Sequence, residues 1–229
     1  MLKREKKQWL VLPVVVAADV IMKYIINYST QVAIGIFLAL YILASLFYPG
    51  GSNFDTHATG FSWLHNYWCD LLSTHAKNGQ VNIVQPIAIG AMFVLCISLM
   101  HFWYLIPIRL KTNTKLGRII RVSGIVSMLF CMLLFTTMDH DMVTNFGSFF
   151  GVVALIATMI VIFKNKKYTL FYFGCFIILL VGINNILYYS VSGIQYLPVV
   201  QKITFVAFLV WVWRLSLLPD HRISKCMYN

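Results

Sequence analysis

Six long apolar runs constrain the fold of this chain more than any other feature. The protein has 229 residues, of which 60% are hydrophobic and only 11% are charged. A helix needs about 20 residues to cross the ~30 Å hydrocarbon core of a bilayer, and these runs are close to that length. We therefore predict an all-α, polytopic membrane bundle with six transmembrane helices. The predicted spans are residues 30–48, 81–106, 116–138, 142–163, 168–190 and 195–218.

A further apolar segment, residues 8–28, contains Pro13, Asp19 and Lys23 and has three alternative interpretations. It could be a spanning helix, a cleaved signal peptide or a helix lying in the membrane interface. The distribution of charge favours the third. With six spans and a cytoplasmic N-terminus, fifteen of the eighteen Lys and Arg residues are cytoplasmic, as the positive-inside rule requires. We therefore predict a basic N-terminus with an interfacial helix in residues 1–29, and a six-span domain in residues 30–229.

The net charge of +11 follows the same topology. It predicts cytoplasmic N- and C-termini and attraction to anionic lipid of the inner leaflet, so we expect membrane lipids and no nucleic acid as partners. A homo-oligomer or a membrane-protein partner is a further alternative. In a bacterium, the predicted location is the inner membrane.

The first outer loop, residues 49–80, is much longer than the other connections. Its start, "YPGG" at residues 48–51, predicts a sharp turn at the end of the first span. Residues 62–75 then have helical periodicity, which predicts an amphipathic cap helix on the outer surface. Its apolar face would contain Leu64, Tyr67, Trp68 and Leu71, and its polar face Ser62, His65, Asn66, Cys69, Asp70 and Ser73.

Polar residues in the outer parts of several spans predict an outward-facing polar pocket. Lys202 lies about two turns into the sixth span, where an unpaired charge is unfavourable, so we expect it to pair with Asp70 or Asp139. The alternatives are that Lys202 snorkels to the headgroups and that the asparagines only join helices. The candidate ligand-binding residues are His65, Asn66, Asp141, Asn145, Asn184, Asn185, Gln201 and Lys202.

Asp70, Asp139 and His140 are the candidate acid and base residues if the protein has a catalytic function. These side-chain types also suit zinc, with His65, Asp70 and His140 as the candidate ligands. Their spacing matches no strong zinc signature, however, so the sequence assigns no cofactor.

Three short motifs resemble those of the six-helix Frag/DRAM-like membrane proteins and their bacterial relatives of unknown function. The motifs are "YPGG", "HNYWCDL" at residues 65–71, and "DHDMVTNFGSFF" at residues 139–150. The resemblance covers the chain from about residue 30 onward and implies involvement with lipids, in remodelling, membrane organisation or autophagy. It singles out Asn66, Asp70, Asp139 or Asp141, Asn145 and Gly147. This chain departs from the pattern at Cys69 and Thr144.

The sequence thus favours a multi-pass membrane protein whose outward-facing pocket binds a lipid headgroup or small amphiphile. One alternative is a lipid hydrolase or acyltransferase at the outer interface, with or without a metal ion. Another is a regulatory or scaffold protein without catalytic activity. Whether the protein is an enzyme stays open at this point.

Overall fold

The computed structural model describes residues 28–112, 115–134, 139–190 and 193–219. The predicted interfacial helix lies almost wholly outside the described residues. Six helices of the described part are long and apolar enough to cross a membrane, so the prediction of a six-helix, all-α membrane bundle is confirmed. They are α1 (Tyr28–Leu46), α2 (Gln85–Arg109), α3 (Lys115–Leu133), α4 (His140–Lys164), α5 (Tyr168–Tyr189) and α6 (Leu197–Ser216).

Local sequence signals mark where these helices begin and end. The side chain of Asp139 caps α4 by accepting a 2.7 Å hydrogen bond from the backbone N–H of Met142. α2 and α6 each have a proline in their first turn, where its missing N–H leaves no helical bond unmade. Lys111 and Lys166 follow α2 and α4 with a φ of 55° and turn the chain out of each helix.

The helices pack mainly as sequence neighbours. α2, α3 and α4 follow one another, α5 lies between α4 and α6, and α6 also contacts α2. α1 joins through Phe37, whose ring centroid lies 5.6 Å from that of Phe205 on α6. Where α2 and α3 cross, Gly124 lies directly against the buried ring of Trp103. A side chain at position 124 would collide with the indole, so the close approach of the two helices requires glycine there.

The two ends of the bundle are built differently. We call the end that carries residues 47–84 the cap end, and those residues the cap loop. At the opposite end, the buried guanidinium of Arg109 donates to the backbone oxygen of Ser216. The amide of Asn165 donates to the backbone oxygen of Leu110 at 2.8 Å. Side chains of α2 and of the turn after α4 thus close this end with bonds to backbone carbonyls.

Candidate functional site

The cap loop begins with the turn that the "YPGG" motif predicts. Gly50 and Gly51 have φ values of 134° and 80°, in the region that favours glycine. The backbone N–H of Gly51 donates to the oxygen of Ala58 at 2.7 Å, and a Cβ on Gly51 would collide with the backbone of Asn78. The glycines therefore allow two distant parts of the loop to touch.

The predicted amphipathic helix over residues 62–75 is wrong. The chain makes a turn after Ser62 and then a short 3₁₀ helix, Trp68–Leu72. Local side-chain bonds replace the helical pattern, as Asn and Asp commonly do in turns. The Oδ1 atom of Asn66 accepts from the backbone N–H of Ser62, and Oδ2 of Asp70 accepts from that of Tyr67, both at 2.9 Å.

The structure does not keep the two predicted faces apart. Leu64 is 61% exposed, whereas Asn66 and Asp70 are only 0% and 4% exposed. Leu71 is buried as predicted, and the ring of Trp68 packs on the bundle. Its centroid lies 6.0, 5.7 and 5.5 Å from the ring centroids of Phe37, Tyr41 and Phe205.

Asn66 stands at the centre of a charged group that we call the cap lysine cluster: Asn66, Asp70, Lys77 and Lys202. The Nδ2 atom of Asn66 donates to the backbone oxygen of Gly51 at 2.8 Å and to Oδ2 of Asp70 at 3.1 Å. The ammonium of Lys202 donates to the backbone oxygen of Asn66. Lys77 completes the cluster, with its Nζ 3.5 Å from Oδ1 of Asp70.

This arrangement explains how Lys202 is accommodated within α6 at only 8% exposure. Its charge interacts electrostatically with that of Asp70, and Asn66 joins the two in the hydrogen-bond network. The ammonium also lies 5.9 Å from the ring centroid of Phe61, within cation–π range. Lys202 thus connects α6 to the cap loop.

Cys69 is surrounded by the same charges. Burial, and then the negative charge of Asp70, raises the pKa of its thiol to about 12, while Lys77 and Lys202 act in the opposite direction. The pKa of the Tyr67 hydroxyl is also raised to about 12, first by burial and then by Cys69 and Asp70. At neutral pH both groups are protonated, so Cys69 is not available as a thiolate nucleophile.

Two side chains near the start of α2 hold the other side of the cap loop. Asn82 donates to the backbone oxygens of Leu71 and Ser73 at 3.0 and 2.8 Å. Gln85 donates to the backbone oxygen of Leu72 at 3.0 Å. Both bind carbonyls at the end of the 3₁₀ helix; Asn82 does so within the cap loop, and Gln85 fastens the cap loop to α2 as Lys202 does to α6.

A second polar group runs across the cap-end parts of α4, α5 and α6. We call it the polar seam. The hydroxyl of Tyr188 donates to Oδ2 of Asp141 at 2.9 Å, and Nδ2 of Asn184 donates to Oγ1 of Thr204 at 2.6 Å. Its members are Asp141, Asn184, Tyr188, Gln201 and Thr204.

The helical spacing of these residues makes the seam continuous. Asn184 and Tyr188 lie one turn apart on α5, and Gln201 and Thr204 lie one turn apart on α6. Tyr188 also interacts electrostatically with Tyr67. The seam therefore lies beside the cap loop.

Two oxygens of the polar seam have no hydrogen-bond partner among the described residues. They are Oδ1 of Asn184 and Oε1 of Gln201, and both atoms are buried. Leaving a buried polar group unpaired costs about 1–3 kcal/mol, and water is scarce at this depth of a membrane. Both oxygens are covered by protein, so a ligand or a water molecule that bonds to them has to displace neighbouring side chains.

The remaining predicted site residues belong neither to the cap lysine cluster nor to the polar seam. Asn185 is exposed, and its one hydrogen bond among the described residues is to the backbone oxygen of Val181, at 2.9 Å. Asn145 is exposed on α4, and His65 is exposed with its Nδ1 3.2 Å from the hydroxyl of Ser62. Asp139 is occupied as the cap of α4. The side chain of His140 lies outside the described part.

The two aspartates among the catalytic candidates lie in different places. Asp70 belongs to the cap lysine cluster, whereas Asp139 interacts with Tyr188 beside the polar seam. Within residues 28–112, 115–134, 139–190 and 193–219, no three His, Cys, Asp or Glu side chains are placed to hold a metal ion.

Sequence reasoning missed two members of the polar seam, Tyr188 and Thr204. Each lies one turn from a candidate that the sequence did identify, Asn184 or Gln201. Helical spacing of polar residues, applied along α5 and α6, would have found both.

Comparison of the chain with protein-family models, curated proteins and solved structures finds no match. The resemblance to Frag/DRAM-like proteins therefore stays a prediction, and function has to be argued from the site.

Proposed function

We propose that this integral membrane protein binds the headgroup of a lipid or similar amphiphile in the polar seam, with the cap end facing outward. The observation that carries the proposal is the pair of buried, unpaired oxygens on Asn184 and Gln201. Amide oxygens at this depth gain more from a bound polar group than the same atoms would in water. A headgroup at the seam supplies such a group.

The neighbourhood of the seam supports entry from the bilayer. α5 is the least covered of the six spans in the described part of the chain. Tyr188 is 45% exposed, and the large apolar side chains of Ile186 and Tyr189 next to it are exposed still further. A lipid with its headgroup at the seam can therefore lay its acyl chains along the apolar surface of α5.

Lys202 has a different role in this proposal from the one that the sequence predicts. Its ammonium is already engaged by the backbone oxygen of Asn66 and by the charge of Asp70. We assign it to holding the cap loop beside the seam, and we assign the headgroup contacts to Asn184 and Gln201.

The same positions favour binding over catalysis. Asp70 accepts bonds from Asn66 and Tyr67 and pairs with Lys77, and Asp139 accepts the capping bond of α4. In a lipid hydrolase or acyltransferase that used one of these carboxylates as its acid or base, the carboxylate would also have to reach the reacting atom.

Two neighbouring asparagines provide a matched test. Asn184 reaches across to α6, whereas Asn185 is exposed and bonds only within α5. We expect the Asn184→Leu variant to lose most of the lipid that native mass spectrometry finds bound to the purified wild-type protein. The Asn185→Leu variant should retain it.

Two outcomes would contradict the proposal. The proposal fails if the wild-type protein carries no bound lipid even at the lowest activation energies of native mass spectrometry. It also fails if the two variants retain equal amounts of lipid. In the second case the seam would serve only to join helices, and the scaffold alternative would gain support.

A further inference from the structure

We infer that the polar seam selects headgroups that donate hydrogen bonds, such as a primary ammonium, over headgroups of equal charge that have no N–H. This inference rests on the proposed lipid binding and specifies its chemistry. It follows from which hydrogen-bonding groups of the seam are already used and which remain.

Most donors of the seam are used within the protein; the exception is the side-chain nitrogen of Gln201, which has no acceptor among the described residues. The hydroxyl of Tyr188 donates to Asp141, and the hydroxyl of Thr204 donates to the backbone oxygen of Val200 at 2.7 Å. Both hydrogens of the Asn184 amide are also used, toward Thr204 and toward the backbone oxygen of Leu180 at 2.9 Å. What stays buried and unpaired is oxygen, on Asn184 and Gln201.

The surrounding charge agrees with a donating and cationic group. Asp139 and Asp141 lie exposed at the start of α4, and Asp141 is on the side of the seam where Tyr188 bonds to it. Lys202 follows Gln201 directly in the sequence, but it is turned toward the cap loop by its bond to Asn66. An approaching ammonium therefore meets carboxylates on one side and a lysine already paired on the other.

A primary ammonium has three N–H donors, so it can pair with an amide oxygen such as that of Asn184 or Gln201. A trimethylammonium group has the same charge and no donor, so it can interact with the carboxylates but cannot satisfy the oxygens. The difference between the two headgroups isolates the hydrogen bonds. One net hydrogen bond to a neutral acceptor corresponds to about a fivefold preference.

The experiment uses the full chain in nanodiscs that contain phosphatidylethanolamine and phosphatidylcholine with identical acyl chains. Native mass spectrometry then gives the ratio of the two lipids that stay bound. We expect the wild-type protein to prefer the primary amine by about fivefold or more. The nearly isosteric Gln201→Met variant removes one unpaired oxygen, so it should lose much of the preference, whereas Asn185→Leu should keep it.

Folding is checked separately from selectivity. Gln201→Met removes an amide oxygen that has no partner, so its thermal unfolding temperature should equal or exceed that of the wild type. A change in lipid ratio in this variant therefore reports on the seam and not on the fold.

The outcomes distinguish this inference from the proposed function. If both lipids bind equally and Gln201→Met leaves the ratio unchanged, the inference is wrong while lipid binding stands. If neither lipid binds, the proposed function fails. If free ethanolamine competes with the lipid, the natural ligand is a free amine. If it does not compete, the natural ligand is the lipid. The seam recognises the same primary ammonium in both cases.

Discussion

The cap lysine cluster and the polar seam lie side by side at one end of the bundle, and both contain carboxylate, amide and hydroxyl or ammonium groups. They differ in how completely their buried groups are paired. In the cluster, Asn66 uses its side-chain nitrogen and oxygen and its backbone oxygen. In the seam, Asn184 and Gln201 each retain a buried oxygen without a partner in the described part of the chain.

The comparison distinguishes residues that stabilise the fold from residues that are available to bind a ligand. A fully paired group can only lose interactions when one member is changed, so substitutions in the cluster should lower stability. A group with unpaired oxygens can gain interactions from a ligand, so substitutions in the seam should change binding more than stability. The predictions below follow this contrast, from the largest effect on stability to the smallest.

The largest effect is expected at Asn66. The Asn66→Ala substitution removes its side-chain bonds to Ser62, Gly51 and Asp70 and leaves the aspartate partly unpaired. We expect a loss of about 3 kcal/mol in the free energy of unfolding, at roughly 1 kcal/mol per hydrogen bond. Denaturant unfolding in detergent measures it.

The neighbouring residue His65 serves as the control for Asn66. It is exposed and contacts only Ser62 and the ring of Phe54 among the described residues, so His65→Ala should change stability by no more than about 0.5 kcal/mol. Equal losses in the two variants would mean that Asn66 is not the centre of the cluster.

Lys202 should come next. Replacing it with methionine keeps the aliphatic volume but removes the charge that faces Asp70 and the bond to the backbone oxygen of Asn66. We expect a loss of about 2 kcal/mol, typical of a hydrogen bond that involves a charged group. Thermal unfolding of Lys202→Met measures it.

The second lysine of the cluster offers a comparison for Lys202. The side chain of Lys77 is 36% exposed, so its pair with Asp70 is screened and Lys77→Met should lose less than about 1 kcal/mol. A larger loss for Lys77 than for Lys202 would reverse the roles that we assign to the two lysines.

Cys69 gives the cluster a dependence on alkaline pH. Burial raises the pKa of the thiol from its ordinary value of 9.0 to about 12 in the folded protein, so the unfolded chain loses this proton first. Stability should therefore be unaffected below about pH 9 and should fall as the pH rises toward 12. The slope is at most about 1.4 kcal/mol per pH unit.

Unfolding measured at pH 8 and pH 10 tests this dependence. The wild type should lose more stability between the two pH values than the Cys69→Ala variant does. The pKa of Tyr67 is raised first by burial, which both proteins share, so that part of its contribution cancels in the difference. Identical losses in the two proteins would show that the Cys69 thiol is not buried beside the carboxylate of Asp70.

The smallest effect on stability is expected at Gln201. Its Oε1 atom has no partner to lose, so Gln201→Met should change the free energy of unfolding by less than about 0.5 kcal/mol or raise it slightly. A loss of 2 kcal/mol or more, as in Lys202→Met, would place Gln201 in a paired network and remove the contrast between the two groups.

The six spans were predictable because the length of an apolar run is set by the thickness of the bilayer. The cap loop was not. Its apolar residues repeat at helical spacing, but Asn66 binds the backbone N–H of Ser62 in a turn, and Asp70 binds that of Tyr67 at the start of a short 3₁₀ helix. Periodicity describes where side chains would point in a regular helix and contains no information about such bonds.

In the polar seam, the sequence alone likewise could not predict which individual residues take part. The sequence identified both Asn184 and Asn185, which have the same chemistry and neighbouring positions. Only the packing of α5 against α6 distinguishes them, because it brings Asn184 to Thr204 and leaves Asn185 exposed. The rotation of a helix about its axis depends on every contact along the helix. The identities of residues 184 and 185 alone therefore do not determine which of them faces α6.

The most direct test of the account compares Gln201→Met with Lys202→Met in one experiment, because these adjacent residues belong to different groups. Thermal unfolding and bound lipid per folded molecule are measured for each variant. We predict that Gln201→Met stays as stable as the wild type but carries less amine lipid, and that Lys202→Met is destabilised but keeps the wild-type lipid preference. The reverse pattern, with lipid lost at Lys202 and stability lost at Gln201, would contradict the division between a holding cluster and a binding seam.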